Sequence, residues 1–302
     1  MNAFRQLLQA RDQHTPAGTW VMSVSPLVAE AIGTAGFDWG VIDMEHTPID
    51  LMGLVHLLQA VGNTAMVPVV RVPWNDTVTV KRVLDAGAQT LMFPFVQNAD
   101  EAAQAVAATR YPPEGVRGMA GMGRASKFGT VPDFFKAANK SVGVVLQLET
   151  LAAIEQLEAI AAVPGVDALF VGPGDLSGTM GHVGDLTHPD VIAVMGSAAR
   201  RAHALGMPIG TVGGTVETVA RYRELGYDYL AVASDLGLLM RAAKAALQGL
   251  REMGAPGEVG SAAETGKPGN APQNAVAAPS PAPSPASWPA SPPASPHSAS
   301  AY

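Results

Sequence analysis

The 302-residue sequence contains no cysteine. Disulfides, thiolate nucleophiles, zinc–sulfur sites and iron–sulfur clusters are therefore excluded. Charge is scarce: only 15% of residues are charged, and 19 Lys and Arg stand against 26 Asp and Glu, a net charge of −7. The basic residues form no run, whereas a phosphate backbone needs a basic face, so the composition argues against nucleic acid as a partner. No uninterrupted apolar stretch of about 18 residues is available to span a membrane. Residues 1–11 flank their leucines with Gln and Arg instead of gathering them into a signal-peptide core. A soluble, cytoplasmic protein without a membrane partner is the expectation. Lysine is also rare. The six are Lys81, Lys127, Lys136, Lys140, Lys244 and Lys267, and none ends an apolar, strand-like run. A barrel enzyme that forms a Schiff base needs a desolvated lysine inside the barrel, so carbonyl chemistry here calls for a metal ion as the Lewis acid.

Proline is plentiful but unevenly placed. Of 24 prolines, 11 lie between Pro256 and Pro296, and no Asp, Glu, Lys or Arg occurs from Pro268 to Tyr302. Alternating Ala, Pro and Ser cannot bury enough apolar surface to offset the entropy of ordering. The sequence thus divides into a single folded domain, 1–254, and a disordered Pro/Ala/Ser-rich tail, 255–302.

Within 1–254 short apolar, β-branched runs recur at Trp20–Ser23, Trp39–Met44, Ala65–Val72, Thr90–Val96, Val142–Glu149, Ala168–Gly172, Pro208–Val212 and Tyr229–Ala233. Between them lie stretches with helical spacing at Leu51–Val61, Val78–Asp85, Ala99–Arg110, Leu151–Val163, Val191–Leu205 and Val216–Leu225. Strands apolar on both faces that alternate with helices mean parallel βαβ units. Eight of them predict an α/β fold, a (β/α)8 TIM barrel, with a doubly wound open sheet as the runner-up.

A barrel of this kind carries its chemistry on the loops that follow the strands. Four predicted strands finish in polar groups: Asp43-Met44-Glu45-His46, Arg71, Gln147-Leu148-Glu149 and Gly172-Pro173-Gly174-Asp175. An apolar strand that ends in a carboxylate wastes packing, so a site at one mouth explains the set better than four unrelated surface charges. Glu149 and Asp175 end neighbouring strands and could share one cation. Oxygen-only donors select a hard ion, Mg²⁺ or Mn²⁺, with Co²⁺ also accommodated. The competing reading is a pair of solvent-facing acids, or acids bridged to Arg124.

Six ordered blocks across residues 4–248 resemble the HpcH/HpaI family of metal-dependent pyruvate aldolases. They are Phe37-Asp38-Trp39 through Thr47-Pro48, Val69-Val70-Arg71, Leu84-Asp85-Ala86-Gly87, Arg110 through Gly118, Gln147 through Thr150, and Phe170 through Ser177. The resemblance implies retro-aldol cleavage of a 4-hydroxy-2-oxo acid to pyruvate and an aldehyde. It implies that Glu149 and Asp175 hold the metal, that the pyruvate moiety chelates it, and that Gln147 and the turn Gly172-Pro173-Gly174-Asp175 complete the substrate site. His46 becomes the general base, Arg71 the stabiliser of the enolate oxygen, and Asp43 and Asp85 the groups that orient His46. It further implies a homo-oligomer, a hexamer in which a neighbouring subunit helps to complete each site. Without the resemblance, His46 reads equally as a loop histidine capping the helix that begins near Pro48, Arg71 as a salt bridge across the mouth, and Asp85 as part of a solvated helix face.

Some positions depart from the family pattern: Ile49-Asp50 follows the His motif, Gly174 precedes Asp175, and Met119-Ala120-Gly121-Met122-Gly123 is unusually small. They leave the metal ligands and the base in place and bear on the aldehyde pocket. Asn75-Asp76, Gln89-Thr90-Leu91 and Val96 through Ala102 are most similar to 4-hydroxy-2-oxoheptanedioate aldolases, which release pyruvate and succinic semialdehyde. Phe128-Gly129-Thr130-Val131, Gly181-His182 and Asp185 are similar to sister enzymes acting on 2-keto-3-deoxy sugar acids such as 2-dehydro-3-deoxyglucarate, which yields pyruvate and tartronic semialdehyde. The heptanedioate is the first expectation and the sugar acid the alternative. Outside this class stand a phosphate-binding barrel enzyme using Gly210 through Gly214 and Val232-Ala233-Ser234, and a non-catalytic scaffold.

Overall fold

Eight apolar runs form eight parallel strands: β1 (Ala17–Val21), β2 (Trp39–Asp43), β3 (Val67–Arg71), β4 (Thr90–Phe93), β5 (Gly143–Leu148), β6 (Ala168–Val171), β7 (Ile209–Gly213) and β8 (Tyr229–Ser234). Each pairs with the next, and β8 returns to β1 to close the barrel. This is the (β/α)8 arrangement expected, not the open sheet. The computed structural model describes residues 2–253. The expected tail, 255–302, and the boundary placed after 254 lie outside the described residues.

Twelve helices accompany the strands: α1 (Ala3–Gln9), α2 (Pro26–Thr34), α3 (Leu51–Val61), α4 (Thr77–Asp85), α5 (Ala99–Thr109), α6 (Phe134–Ser141), α7 (Leu151–Glu155), α8 (Leu157–Ala161), α9 (Pro173–Thr179), α10 (Pro189–Ala204), α11 (Val216–Glu224) and α12 (Asp235–Glu252). Side-chain caps start most of them. Asp50 accepts from the Gly53 N–H at 2.7 Å and Asp76 from the Thr79 N–H at 2.7 Å, satisfying donors that the first turn leaves unpaired. Asp50, and not His46, therefore caps α3. The single helix expected over Leu151–Val163 is broken at Gln156, whose N–H is shared between the Ala152 and Ala153 carbonyls as the turn tightens. No helix among the described residues is long and apolar enough to cross a membrane.

Side chains alternate across a strand, so every second residue points into the barrel. The inward row supplies Trp20, Trp39, Val41, Val69, Met92, Val145, Ala168, Phe170, Tyr229 and Ala231, all buried in one cluster. The outward row packs under the helices in a second, larger cluster. At the N-terminal ends of the strands Phe4 of α1 reaches into the barrel, 5.7 Å from the Trp39 ring and 5.5 Å from that of Tyr229, both edge-on. Gly18 and Gly210 make this filling possible: a Cβ on either would lie 2.3 Å from the Trp39 or Tyr229 ring.

Helix α12 behaves differently from the rest. Its periodic Leu236, Leu239, Met240, Leu247 and Leu250 are exposed, and Asp235 is its one buried residue.

Candidate active site

The inward rows change character as they reach the C-terminal ends of the strands. In β2 the row Trp39, Val41, Asp43 continues to Glu45; in β3 Val67 and Val69 give way to Arg71; in β5 Val145 gives way to Gln147 and then Glu149. These groups, with His46 and the Gly172–Asp175 turn, meet at one end of the barrel. A cavity of about 460 Å³ opens there, and His46, Arg71, Gln147, Glu149, Gly172, Pro173, Gly174 and Asp175 all line it.

Asp43 and Arg71 are register partners on adjacent strands. The buried Asp43 carboxylate accepts from Arg71 Nε at 2.9 Å and Nη2 at 2.7 Å, a two-pronged pair that fixes the guanidinium plane. The third nitrogen of Arg71, Nη1, stands 2.9 Å from Glu45 Oε2. Asp43 Oδ1 also accepts the backbone N–H of Glu45 at 3.0 Å and of His46 at 3.4 Å, so it shapes the loop. It makes no contact with the His46 ring. The acid nearest that ring is Glu45, with Oε1 3.9 Å from Nε2. The ring is 59% exposed and free to meet a substrate.

Glu149 is 2% exposed. Its Oε1 accepts from Gln147 Nε2 at 2.8 Å and its Oε2 from the Phe95 N–H at 3.0 Å. Phe95 adopts a left-handed φ of 56°, which a bulky residue rarely does, and in that conformation its N–H meets the carboxylate. Gly172 is equally specific: a Cβ there would sit 2.2 Å from Glu149 Oε1. Asp175 occupies the first turn of α9, behind Pro173 at the first helical position, where the helix dipole favours negative charge.

Burial, and after it the charges of Glu45 and Asp175, push the Glu149 carboxyl up to about 7. Burial raises Glu45 too, against the pull of Arg71 and His46. Glu149 and Asp175 thus repel each other and nearby Glu45 at a cavity whose guanidinium Arg71 is already paired. Gln147 Oε1 is buried without a hydrogen-bond partner and lines the same space. Such a set of oxygen donors, short of positive charge, fits a hard divalent cation. Arg124 does not neutralise it, because its Nε donates to the Ala86 carbonyl at 2.9 Å.

Asp85 is the sequence-derived site residue that the chain does not bring to His46. It ends α4, ahead of β4 at the opposite end of the barrel, and its carboxylate pairs with Arg117 Nη2 at 2.7 Å. Glu45 is the residue that sequence reasoning passed over. The period-two inward row from Trp39 was the signal that could have found it. A further His/carboxylate group, His182, His188 and Asp190, lies on the loop after α9 and the first turn of α10. None of the three lines the cavity, and His188 Nδ1 already accepts the Asp190 N–H at 3.2 Å.

Residues 17–242 match the HpcH/HpaI aldolase/citrate lyase family. The chain is 52% identical over 250 residues to a 2-dehydro-3,6-dideoxy-6-sulfogluconate aldolase of Pseudomonas putida, covering 83% of this chain and 98% of that protein. It is 45% identical to a 5-keto-4-deoxy-D-glucarate aldolase of Salmonella arizonae, covering 78% of this chain and 92% of that one. Among solved structures, a HpcH/HpaI aldolase/citrate lyase family protein from Burkholderia cenocepacia superposes with a TM-score of 0.80 at 43% identity, over 83% of this chain and all of that one.

Proposed function

The chain belongs to the HpcH/HpaI aldolase/citrate lyase family and is a carbon–carbon lyase, and from that premise we propose that it cleaves a 2-keto-3-deoxy sugar acid to pyruvate and an aldehyde. The observation that carries the proposal is the cavity lined by buried Glu149 with Asp175, Arg71 and His46, where the charge of nearby Glu45 adds to the rise of the Glu149 carboxyl. The relatives favour the sugar acid over 4-hydroxy-2-oxoheptanedioate, because both are named for keto-deoxy sugar acids.

Glu149 and Asp175 are the ligands for a divalent cation, Mg²⁺ or Mn²⁺, with Co²⁺ as a further fit. When bound, the cation supplies positive charge where the 2-oxo group becomes an enolate. The residues of the chain do the rest. His46 accepts the proton of the C4 hydroxyl. As C4–O becomes the aldehyde carbonyl, the C3–C4 bond breaks and its electron pair passes into the enolate of pyruvate. Arg71, held flat by Asp43 and Glu45, offers a guanidinium edge to the enolate oxygen, where preorganised donors stabilise developing charge. The proton then returns to C3 and gives the methyl group of pyruvate. Gln147 and the turn Gly172–Asp175 seat the 2-oxo acid, and the missing Cβ at Gly172 keeps Glu149 in reach.

A homo-oligomer belongs to the same proposal. The exposed apolar row of α12 supports it, and so does Asp85, which could reach a His46 only in another subunit.

The test is pyruvate release from 2-dehydro-3-deoxyglucarate and from 4-hydroxy-2-oxoheptanedioate, after chelation and again after adding Mg²⁺ or Mn²⁺. Cleavage should vanish with EDTA and return with metal, and kcat/KM should be higher for the sugar acid. Cleavage indifferent to chelation, with bound metal excluded by elemental analysis, would overturn the Glu149–Asp175 site. A higher kcat/KM for the heptanedioate would return the substrate to the first expectation.

A further inference from the structure

The cavity is electrically lopsided. Around β5 and β6 it is lined by acids. Around β7 and β8 the wall is Val212, Gly213, Gly214, Ala233, Ser234 and Gly237, small residues without a titratable group. A Cβ on Gly214 would meet nothing within 4 Å, so this end is open. One charged side chain reaches it: Arg241, from the second turn of α12.

Arg241 donates Nη1 to the Gly214 carbonyl at 2.7 Å, which leans the guanidinium on the loop after β7. Among the described residues it has no carboxylate partner at ion-pair distance. The other guanidinium of the cavity, Arg71, is engaged by Asp43 and Glu45. The acid end would repel a second anion on the substrate, whereas the Arg241 end offers a cation with free N–H groups and room beside it. Guanidinium binds carboxylate and sulfonate oxygens alike through paired N–H donors.

We propose that Arg241 and the Gly213–Gly214 turn form a subsite for a second anion, so that the enzyme selects 2-oxo acids whose aldehyde fragment ends in sulfonate or carboxylate over those with a neutral end. The subsite rests on the aldolase reading and adds to it the residue that reads the far end of the substrate. It also gives a role to the loops after β7 and β8, which as a phosphate cradle in their own right would lack a function. Arg241 acts on the part of the substrate that does not react, so it governs KM and selectivity and leaves proton transfer at the 2-oxo acid alone.

The experiment compares the Mn²⁺-loaded full chain with Arg241→Ala and Arg241→Lys in the aldol direction. Pyruvate is joined to 3-sulfolactaldehyde, to tartronic semialdehyde or to neutral lactaldehyde. Exchange of the methyl protons of pyruvate with D₂O is followed in parallel by NMR. Arg241→Ala should raise KM for the anionic aldehydes about 10- to 100-fold, as expected for losing a charge-assisted hydrogen bond. It should leave lactaldehyde and the exchange rate within about threefold, and Arg241→Lys should recover part of the loss. A loss confined to one anionic aldehyde would identify the anion as sulfonate or carboxylate. Equal losses on charged and neutral aldehydes, or none on either, would overturn the subsite while exchange persists. Absence of metal-dependent exchange in the unaltered enzyme would overturn the aldolase reading beneath it.

Discussion

At the N-terminal ends of the strands the inward-facing rows are rings and aliphatic groups: Trp39, Phe170 and Tyr229 are fully buried and meet edge-on or tilted. A few residues further along the same rows stand Asp43, Arg71, Gln147 and Glu149, also buried but charged or polar. Both sets of side chains are buried, and they do opposite things to stability. Buried rings contribute apolar transfer and contact energy. Buried acids cost desolvation that only a partner repays, and burial, followed by the charges of Glu45 and Asp175, raises the Glu149 carboxyl to about 7. One end of the barrel holds the fold and the other carries charge that the protein itself leaves uncompensated.

The sharpest way to break this contrast is Glu149→Gln. Turnover should fall by roughly three orders of magnitude, since a metal's stabilisation of several kcal/mol converts at 1.36 kcal/mol per decade. The melting temperature of the metal-free protein at pH 8 should hold or rise, because a repelled buried carboxylate is replaced by a neutral group. A clear drop in melting temperature would mean that the acid end supports the fold after all. Trp39→Ala probes the other end: about 3–5 kcal/mol of stability should be lost to the cavity left behind. Denaturant unfolding measures it, while kcat of the folded fraction should stay within a few-fold.

His46→Ala should lower turnover by about two orders of magnitude, the usual worth of a general base. Its ring is mostly exposed, so the unfolding midpoint should not move. The smallest effect is on pH. The Glu149 carboxyl, raised from 4.5 to about 7, must lose its proton before it can hold a cation. Metal affinity should therefore weaken about tenfold for each pH unit below 7, where each cation releases one proton, and level off above it, where none is released. Calorimetry in two buffers checks the proton count, and a flat affinity between pH 5 and 7 would contradict it.

Much of the framework was legible because it follows from periodicity. The eight runs became eight strands, and Leu51–Val61 became α3 with the same ends. Other elements lacked that signal. The short α1 mixes polar and apolar residues and is ordered by what it plugs, with Asn2 bonding to Gln89, Thr90 and Ser141 across the bottom of the barrel. The Gly172–Asp175 turn read as a strand ending, yet Pro173 starts a helix there. Within the site, residue types and positions were readable, but partners were not. No sequence pattern shows that Asp43 would pair with Arg71 and leave the His46 ring to Glu45. The choice between substrates rested on residues away from the cavity. Gln89 to Leu91 sits at the bottom of the barrel, and Phe128 to Val131 and His182 lie on loops that do not line the cavity.

The ring-filled floor has a consequence for the order of events. With Phe4, Trp39 and Tyr229 packed at the strand N-termini, the floor of the barrel is filled and the cavity lies at the opposite end of the strands. Gln147 and Glu149 lie deep in it, while Gly214 and Arg241 sit at the exposed rim. Whatever is seated at the acids arrives first and leaves last. Under the proposed reaction the aldehyde fragment departs over the rim before pyruvate follows, so traffic runs as a stack: last in, first out.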